Sequence, residues 1–135
     1  MNSQVVIAVE MERALKEKTA RIAVVGLGHV GRPLAERFVA AGFDTVGIDT
    51  DGAKVDEVNN YNNRGAYSPE SELVASKDYD VINSCEVVCV CVPTDIDQHL
   101  QPDLSHIRAA TQQIAERLHA GQLVVVESTV FPGAT

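Results

Sequence analysis

The sequence predicts an α/β fold of the Rossmann type, in which helices cover both faces of a doubly wound parallel sheet. Short apolar runs rich in β-branched residues alternate along the chain with longer stretches whose apolar residues recur at helical spacing. A glycine-rich turn, Gly26-Leu27-Gly28-His29-Val30-Gly31, joins the first apolar run to the first helical stretch, and Asp49 follows the second run. Strand, glycine turn, helix and strand in this order indicate a βαβ unit.

The composition is that of one globular domain. The 135 residues are 45% hydrophobic and 22% charged, which excludes a disordered or collagen-like chain, and no apolar run approaches the ~18 residues of a membrane span. A formal net charge of -8 argues against sequence-independent binding of nucleic acid. Cys85, Cys89 and Cys91 are not a disulfide framework, so we expect a reduced, cytoplasmic protein with no nucleic-acid or membrane partner.

A helical extension is predicted for residues 1–19, ahead of a domain that spans residues 20–135. Ile7, Met11 and Leu15 lie at helical spacing, and no glycine or proline interrupts the segment. The valine-rich first half is also compatible with an extended strand. We expect a helix that packs on the following domain or on another subunit.

The domain begins with a strand at 22–25, whose continuous apolar run indicates burial on both faces of a sheet. The next stretch predicts a helix from the spacing of its apolar residues, Leu34, Ala35, Phe38 and Val39. This helix is expected to end near Gly42, and a second strand at 45–48 then leads to Asp49.

The second half of the chain continues the alternation with weaker signals. We predict, in order, a helix at 53–60, a loop at 59–65, a helical turn begun by Ser68-Pro69-Glu70, a strand at 73–76, a short helix at 79–84, a strand at 87–92, a helix at 104–119 and a strand at 123–126. Because the chain stops before the final strand of a six-stranded sheet, we expect a fragment truncated at that point. Its last strand would have an unpaired edge, which we expect to associate with another edge or to be covered by the leading helix.

The glycine turn and the acidic residue after it indicate a dinucleotide site. Gly26 allows the sharp turn, Gly28 lets the backbone approach a pyrophosphate, and Gly31 lets the helix pack closely on the sheet. Asp49 would accept hydrogen bonds from ribose hydroxyls and repel a 2′-phosphate, which favours NAD over NADP. Lys54 is close enough in sequence to reach the adenosine end. The alternative is that the glycines serve only a tight turn.

Three sequence blocks carry a resemblance to a known family from Thr19 to the end of the chain. They are V-G-L-G-H-V-G-R-P-L at 25–34, C-V-P-T at 91–94 with P-D-L-S at 102–105, and E-S-T-V-F-P-G at 127–133. With these blocks the chain resembles the nucleotide-sugar dehydrogenases, which oxidise UDP-glucose, UDP-N-acetylhexosamines and GDP-mannose to uronic acids. It looks closest to the UDP-N-acetylhexosamine 6-dehydrogenase branch.

The resemblance implies a set of contacts with NAD, and together with the glycine turn these give the expected cofactor-binding residues. They are Gly26, Gly28, His29, Val30, Gly31, Asp49, Lys54, Pro93, Thr94, Ser128 and Thr129. His29 replaces the tyrosine that is usual in the family. Thr129 is also expected to have a supporting catalytic role, positioning water or substrate. The alternative for Thr94 and Ser128 is ordinary capping of turns.

The resemblance also implies a reaction that needs residues outside this sequence. Family members use two NAD to oxidise the C6 alcohol of a UDP-sugar to a carboxylate, through a thioester on a cysteine in a later segment. None of the three cysteines matches the motif of that cysteine. We therefore expect this chain alone to be inactive, and the intact enzyme to be a homo-oligomer that serves polysaccharide biosynthesis.

Other polar residues have simpler expected roles. We predict that the side chains of His99, His106 and His119 lie on the solvated surface. Glu127 is expected to stabilise the turn that follows the last strand. Cys89 and Cys91 alternate along one strand, so they should share one sheet face as small hydrophobic residues. We expect no metal site, since these thiols lack partner ligands and the acids of the 95–97 loop are weak evidence for a cation.

Two alternative functions remain at this point. The first is the NAD-binding domain of a 3-hydroxyacid or 6-phosphogluconate type dehydrogenase, against which the E-S-T-V-F-P-G block argues. The second is a non-catalytic NAD-sensing module, which the unfinished final turn disfavours.

Overall fold

The computed structural model describes residues 2–62 and 73–134, and its core is a five-stranded parallel sheet. The strands are β1 (Ile22–Val25), β2 (Thr45–Ile48), β3 (Val74–Ser76), β4 (Val87–Val90) and β5 (Leu123–Val126). The helices are α1 (Ser3–Lys16), α2 (Gly31–Ala40), α3 (Gly52–Asn62) and α4 (Ser105–Ala115), with a short 3-10 helix at Tyr79–Ser84 between β3 and β4. The predicted fold class is confirmed.

The strand order is β3-β2-β1-β4-β5, with every neighbouring pair parallel. The chain builds outward from β1 to β3 and then crosses back to place β4 on the other side of β1. In such sheets the direction of winding reverses between β1 and β4, and a crevice opens at the carboxyl ends of the strands there.

The core has two layers, one on each face of the sheet. On one face, residues of α2 and α3 pack against β1 and β4, with Met11 and Leu15 of α1 at the margin. On the other face, Ile82 of the 3-10 helix and Ala110 and Ile114 of α4 cover the sheet. Because both faces are covered, every residue of β1, β2 and β4 is buried.

The helix predicted at 53–60 extends to residue 62 in α3, which corrects the start of the overlapping loop predicted at 59–65. The side-chain amide of Asn59 donates to the carbonyl oxygen of Ala75 at 3.0 Å and accepts from its N–H at 2.9 Å. These two bonds tie α3 to β3 and outweigh the weak helix propensity of asparagine. The rest of the predicted loop and the turn at Ser68-Pro69-Glu70 lie outside the described residues.

Two further boundaries differ from prediction. The helix predicted to 119 ends at Ala115, and the strand predicted to 92 ends at Val90. The leading segment is helical, but the division of the chain at residue 19 stays a prediction. In the part of the chain that the structure describes, β5 pairs with β4 alone and its residues are largely exposed. No described helix has the length and apolar character needed to cross a membrane.

All three cysteines are buried, reduced thiols. Cys89 and Cys91 share one face of the core as predicted, whereas Cys85 lies on the other. Burial raises the pKa of each thiol to about 11, so all three stay protonated near neutral pH. Within residues 2–62 and 73–134, no group of three or more histidine, cysteine, aspartate or glutamate side chains is arranged to hold a metal ion.

We predict that iodoacetamide modifies these thiols about a hundredfold more slowly at pH 8 than an exposed thiol, because the thiolate fraction falls tenfold for each unit of raised pKa. The rate should rise with pH until it approaches the raised pKa. Mass spectrometry of the native protein measures the rate, and a Ser105→Cys variant supplies the exposed control. Equal rates for native and control thiols would contradict the burial.

Candidate functional site

The glycine turn lies against the segment that follows β4, so closely that side chains are excluded at two of its positions. Gly26 has a φ of +95°, and a Cβ there would lie 2.7 Å from the carbonyl oxygen of Cys91. A Cβ on Gly31 would collide with the carbonyl group of Gly26. A Cβ on Gly28, in contrast, would meet nothing within 4 Å. Packing therefore requires Gly26 and Gly31, whereas Gly28 borders open space.

Successive backbone donors of the turn have no protein partner among the described residues. Among the described residues, the amide N–H groups of Gly28, His29 and Val30 donate to no protein acceptor. They precede α2, whose N-terminus carries the positive end of the helix dipole. Unpaired amides at a helix N-terminus beside open space suit an anion such as a phosphate.

Asp49 holds the glycine turn from the end of β2. Its Oδ2 accepts the N–H of Leu27 at 2.8 Å, and its Oδ1 accepts the N–H of Asp51 at 2.8 Å. The Nζ of Lys54 lies 3.8 Å from Oδ2, and the Asp49 side chain is only 10% exposed. The carboxylate therefore positions the turn while its remaining lone pairs are left for a ligand.

Two cavities lie along the carboxyl edge of the sheet. The first, of about 310 Å³, is lined by residues that include Gly26, Asp49, Tyr79 and His106. The second, of about 580 Å³, is lined by the glycine turn and by residues that follow β4 and β5. Lys54, Val92 and Pro93 line both, so the cavities are neighbouring parts of one cleft.

The cleft collects ten of the eleven residues predicted to bind the cofactor. They are Gly26, Gly28, His29, Val30, Asp49, Lys54, Pro93, Thr94, Ser128 and Thr129. The exception, Gly31, packs on Gly26 beneath the turn. The binding roles of all eleven stay predictions.

At the far end of the cleft, two hydroxyl groups tie neighbouring loops together. The Oγ1 of Thr94 donates to the carbonyl oxygen of Thr129 at 2.5 Å, and the Oγ of Ser128 donates to that of Val92 at 2.8 Å. The Thr94 and Ser128 side chains thus hold the loops after β4 and β5 together. The Thr129 hydroxyl has no hydrogen-bond partner in the described part of the chain, so it is available to a ligand.

The sequence analysis assigned no role to Arg32 and Glu57, two charged residues that line the second cavity. Arg32 donates through Nη1 to Glu57 at 2.6 Å and through Nε to Glu36 at 3.1 Å. The hydrogen bond with Glu57 is the main reason that the pKa of Arg32 is raised. Asp95 and Glu127 line the same cavity as exposed carboxylates. With its cations balanced by acids, the cleft would hold a phosphate chiefly through backbone amides.

The structure also refines the prediction for the histidines. His106 is exposed as predicted, but it lines the first cavity together with Tyr79. No sequence signal identified Tyr79. For His106, the nearest signal was the P-D-L-S block at 102–105, which directly precedes it and belongs to the family resemblance. His99 and His119 are exposed and line neither part of the cleft.

The sequence matches a known protein family over most of its length. A family model described as "UDP-glucose/GDP-mannose dehydrogenase family, NAD binding domain" matches residues 20–135. The UDP-N-acetyl-D-glucosamine 6-dehydrogenase of Pseudomonas aeruginosa is 38% identical to this chain over 135 residues, covering 87% of the chain and 29% of that protein. The UDP-N-acetyl-D-mannosamine dehydrogenase of Pyrococcus horikoshii is 32% identical over 126 residues, covering 85% and 30%.

Solved structures give the same result. The UDP-D-ManNAc dehydrogenase of Pyrococcus horikoshii matches with a TM-score of 0.73 at 32% identity, covering 85% of this chain and 30% of that chain. A ternary complex of GDP-mannose dehydrogenase from Pseudomonas aeruginosa matches with a TM-score of 0.74 at 26% identity, covering 84% and 29%. The chain thus spans less than a third of the length of these relatives.

The two classes of glycine in the turn can be separated by alanine substitution. We predict that Gly31→Ala lowers the free energy of unfolding by about 2–3 kcal/mol, because the added methyl collides with backbone. Gly28→Ala should change it by less than about 1 kcal/mol, because its methyl enters open space. Urea unfolding followed by circular dichroism measures both, and equal losses would contradict the distinction.

Proposed function

The chain belongs to the UDP-glucose/GDP-mannose dehydrogenase family, and we propose that it binds NAD as part of an enzyme that oxidises a UDP-N-acetylhexosamine. NAD is the cofactor of the domain that residues 20–135 match. The match favours the nucleotide-sugar dehydrogenases over the 3-hydroxyacid and 6-phosphogluconate group. The observation that carries the proposed site is the run of unpaired amides at 28–30 beside the Asp49 carboxylate.

The proposed roles follow the course of the cleft. The amides of Gly28, His29 and Val30 hold the pyrophosphate, because they are unpaired donors at a helix N-terminus. Asp49 accepts from the adenosine ribose hydroxyls, and Lys54 borders the same end. The residues after β4 and β5, with the free hydroxyl of Thr129 among them, face the nicotinamide end. Bound NAD would accept a hydride there.

The sugar oxidation itself is proposed for the longer protein. The relatives named above are dehydrogenases of UDP-N-acetylglucosamine and UDP-N-acetylmannosamine, which supports a UDP-N-acetylhexosamine as substrate. A thioester mechanism needs a reactive thiolate, and burial with a pKa of about 11 makes Cys85, Cys89 and Cys91 unsuited to that role. The 135-residue chain by itself is therefore proposed to bind NAD without oxidising a sugar.

The setting of the enzyme is part of the proposal. Three free thiols support a reducing compartment, and we place the protein in the cytoplasm. Uronic-acid products suit polysaccharide biosynthesis. The intact enzyme is proposed to be a homo-oligomer, and the exposed edge of β5 supports edge-to-edge association of this chain at high concentration.

We predict that the purified chain binds NAD and that Gly28→Ala weakens binding at least about tenfold, because the added methyl occupies the space that the pyrophosphate needs. Isothermal titration calorimetry measures the affinity. Gly52→Ala is the matched control, because its Cβ would make only ordinary contact with Lys77. Failure of the unaltered chain to bind NAD would refute the proposed function.

Discrimination between NAD and NADP should depend on Asp49. We predict that Asp49→Asn weakens NAD binding. It should also lower the ratio of NAD affinity to NADP affinity by about tenfold, because the repulsion between the carboxylate and the 2′-phosphate is lost. The asparagine carbonyl can still accept the Leu27 N–H that holds the glycine turn, while only the Asp51 N–H loses its acceptor. Asp44→Asn removes an equal charge just before β2, at the opposite edge of the sheet, and should leave the ratio unchanged. An unchanged ratio in Asp49→Asn would contradict the role.

A further inference from the structure

The cavity beside Asp49 has ring side chains to which no role in cofactor binding has yet been given. Tyr79 is the first residue of the 3-10 helix, and His106 lies in the first turn of α4. Both line this cavity together with Ala109 and Ala110, whose small side chains leave room next to the rings. Two elements that are distant in sequence thus bring a phenol and an imidazole to the same end of the cleft.

Neither ring has polar contacts that would explain its position by structure alone. Tyr79 packs its ring against the core on the α4 face of the sheet, yet its hydroxyl has no hydrogen-bond partner among the described residues. Burial, followed by the charge of Asp49, raises the pKa of Tyr79, so the hydroxyl stays neutral. The exposed imidazole of His106 also has no hydrogen-bond partner in the described ranges.

The chemistry of the cavity suits a flat, partly apolar group that carries hydrogen-bonding edges. Val25, Ile48 and Val92 provide apolar lining, and the two rings provide surfaces on which an aromatic ring can stack. Asp49, the proposed partner of the adenosine ribose, lines the same cavity. The group attached to that ribose is the purine base, so the base belongs in the space that Tyr79 and His106 border.

We infer that Tyr79 and His106 recognise the purine base of the dinucleotide, an inference that rests on the proposed NAD site. A base stacks on any aromatic or imidazole ring of suitable placement, and removing such a ring weakens binding about tenfold. The two residues therefore determine affinity for the adenosine half of the cofactor. They take no part in chemistry at the nicotinamide.

The test uses pairs of variants that remove or retain a ring. His106→Ala and Tyr79→Leu should weaken binding of both NAD and ADP-ribose by about tenfold in calorimetric titrations. His106→Phe and Tyr79→Phe retain a ring and should stay within about threefold of the unaltered chain. His99→Ala removes a histidine that borders neither cavity and should bind both ligands normally.

The outcomes separate this inference from the proposed function. If the unaltered chain binds no NAD, the proposed function and this inference both fail. If it binds NAD and the His106→Ala and Tyr79→Leu variants bind equally well, only this inference fails. Thermal unfolding by circular dichroism checks the fold of each variant. Because His106 is exposed, its two variants decide the question even if Tyr79→Leu is unstable.

Discussion

The close approach of the glycine turn to the segment after β4 is the constraint on which the site depends. With the Cys91 carbonyl oxygen at 2.7 Å from where a Gly26 Cβ would be, only a glycine backbone fits between β1 and that segment. Gly31 then lets α2 start directly on top of the turn. Because these contacts fix where α2 begins, they also fix the direction of the unpaired amides that precede it.

Among the residues that the structure describes, both basic side chains that line the cleft have acidic partners. Arg32 is engaged by Glu57 and Glu36, and Lys54 lies within ion-pair distance of Asp49. An anionic ligand would therefore be held by dipoles of the backbone, whose position is set by the fold rather than by mobile side chains. This also explains how a chain with a formal net charge of -8 can offer a site for a dinucleotide.

Much of this architecture was predictable because its signals are local. The apolar runs of the strands and the glycine spacing are read from neighbouring residues, and Asp49 follows directly from the end of β2. The extension of α3 to residue 62 was not, because the end of this helix is held by two hydrogen bonds between Asn59 and Ala75 across the fold. Tyr79 and His106 were missed for a similar reason, since they come from two separate connections, the 3-10 helix after β3 and α4 after β4, and meet at one cavity only in the folded chain.

Asp49 both holds the glycine turn and faces the proposed ribose, and this combination limits how the cofactor preference of such a domain can change. The carboxylate that faces the proposed ribose also accepts the N–H of Leu27 and of Asp51, so its loss leaves two donors of the scaffold without an acceptor. A lineage or a protein engineer that exchanges this residue for a cation must first supply another acceptor for the loop. Cofactor selectivity and the structure of the loop thus depend on the same side chain. A change of preference toward a dinucleotide with a 2′-phosphate would therefore require a compensating substitution in the loop before Asp49 is replaced.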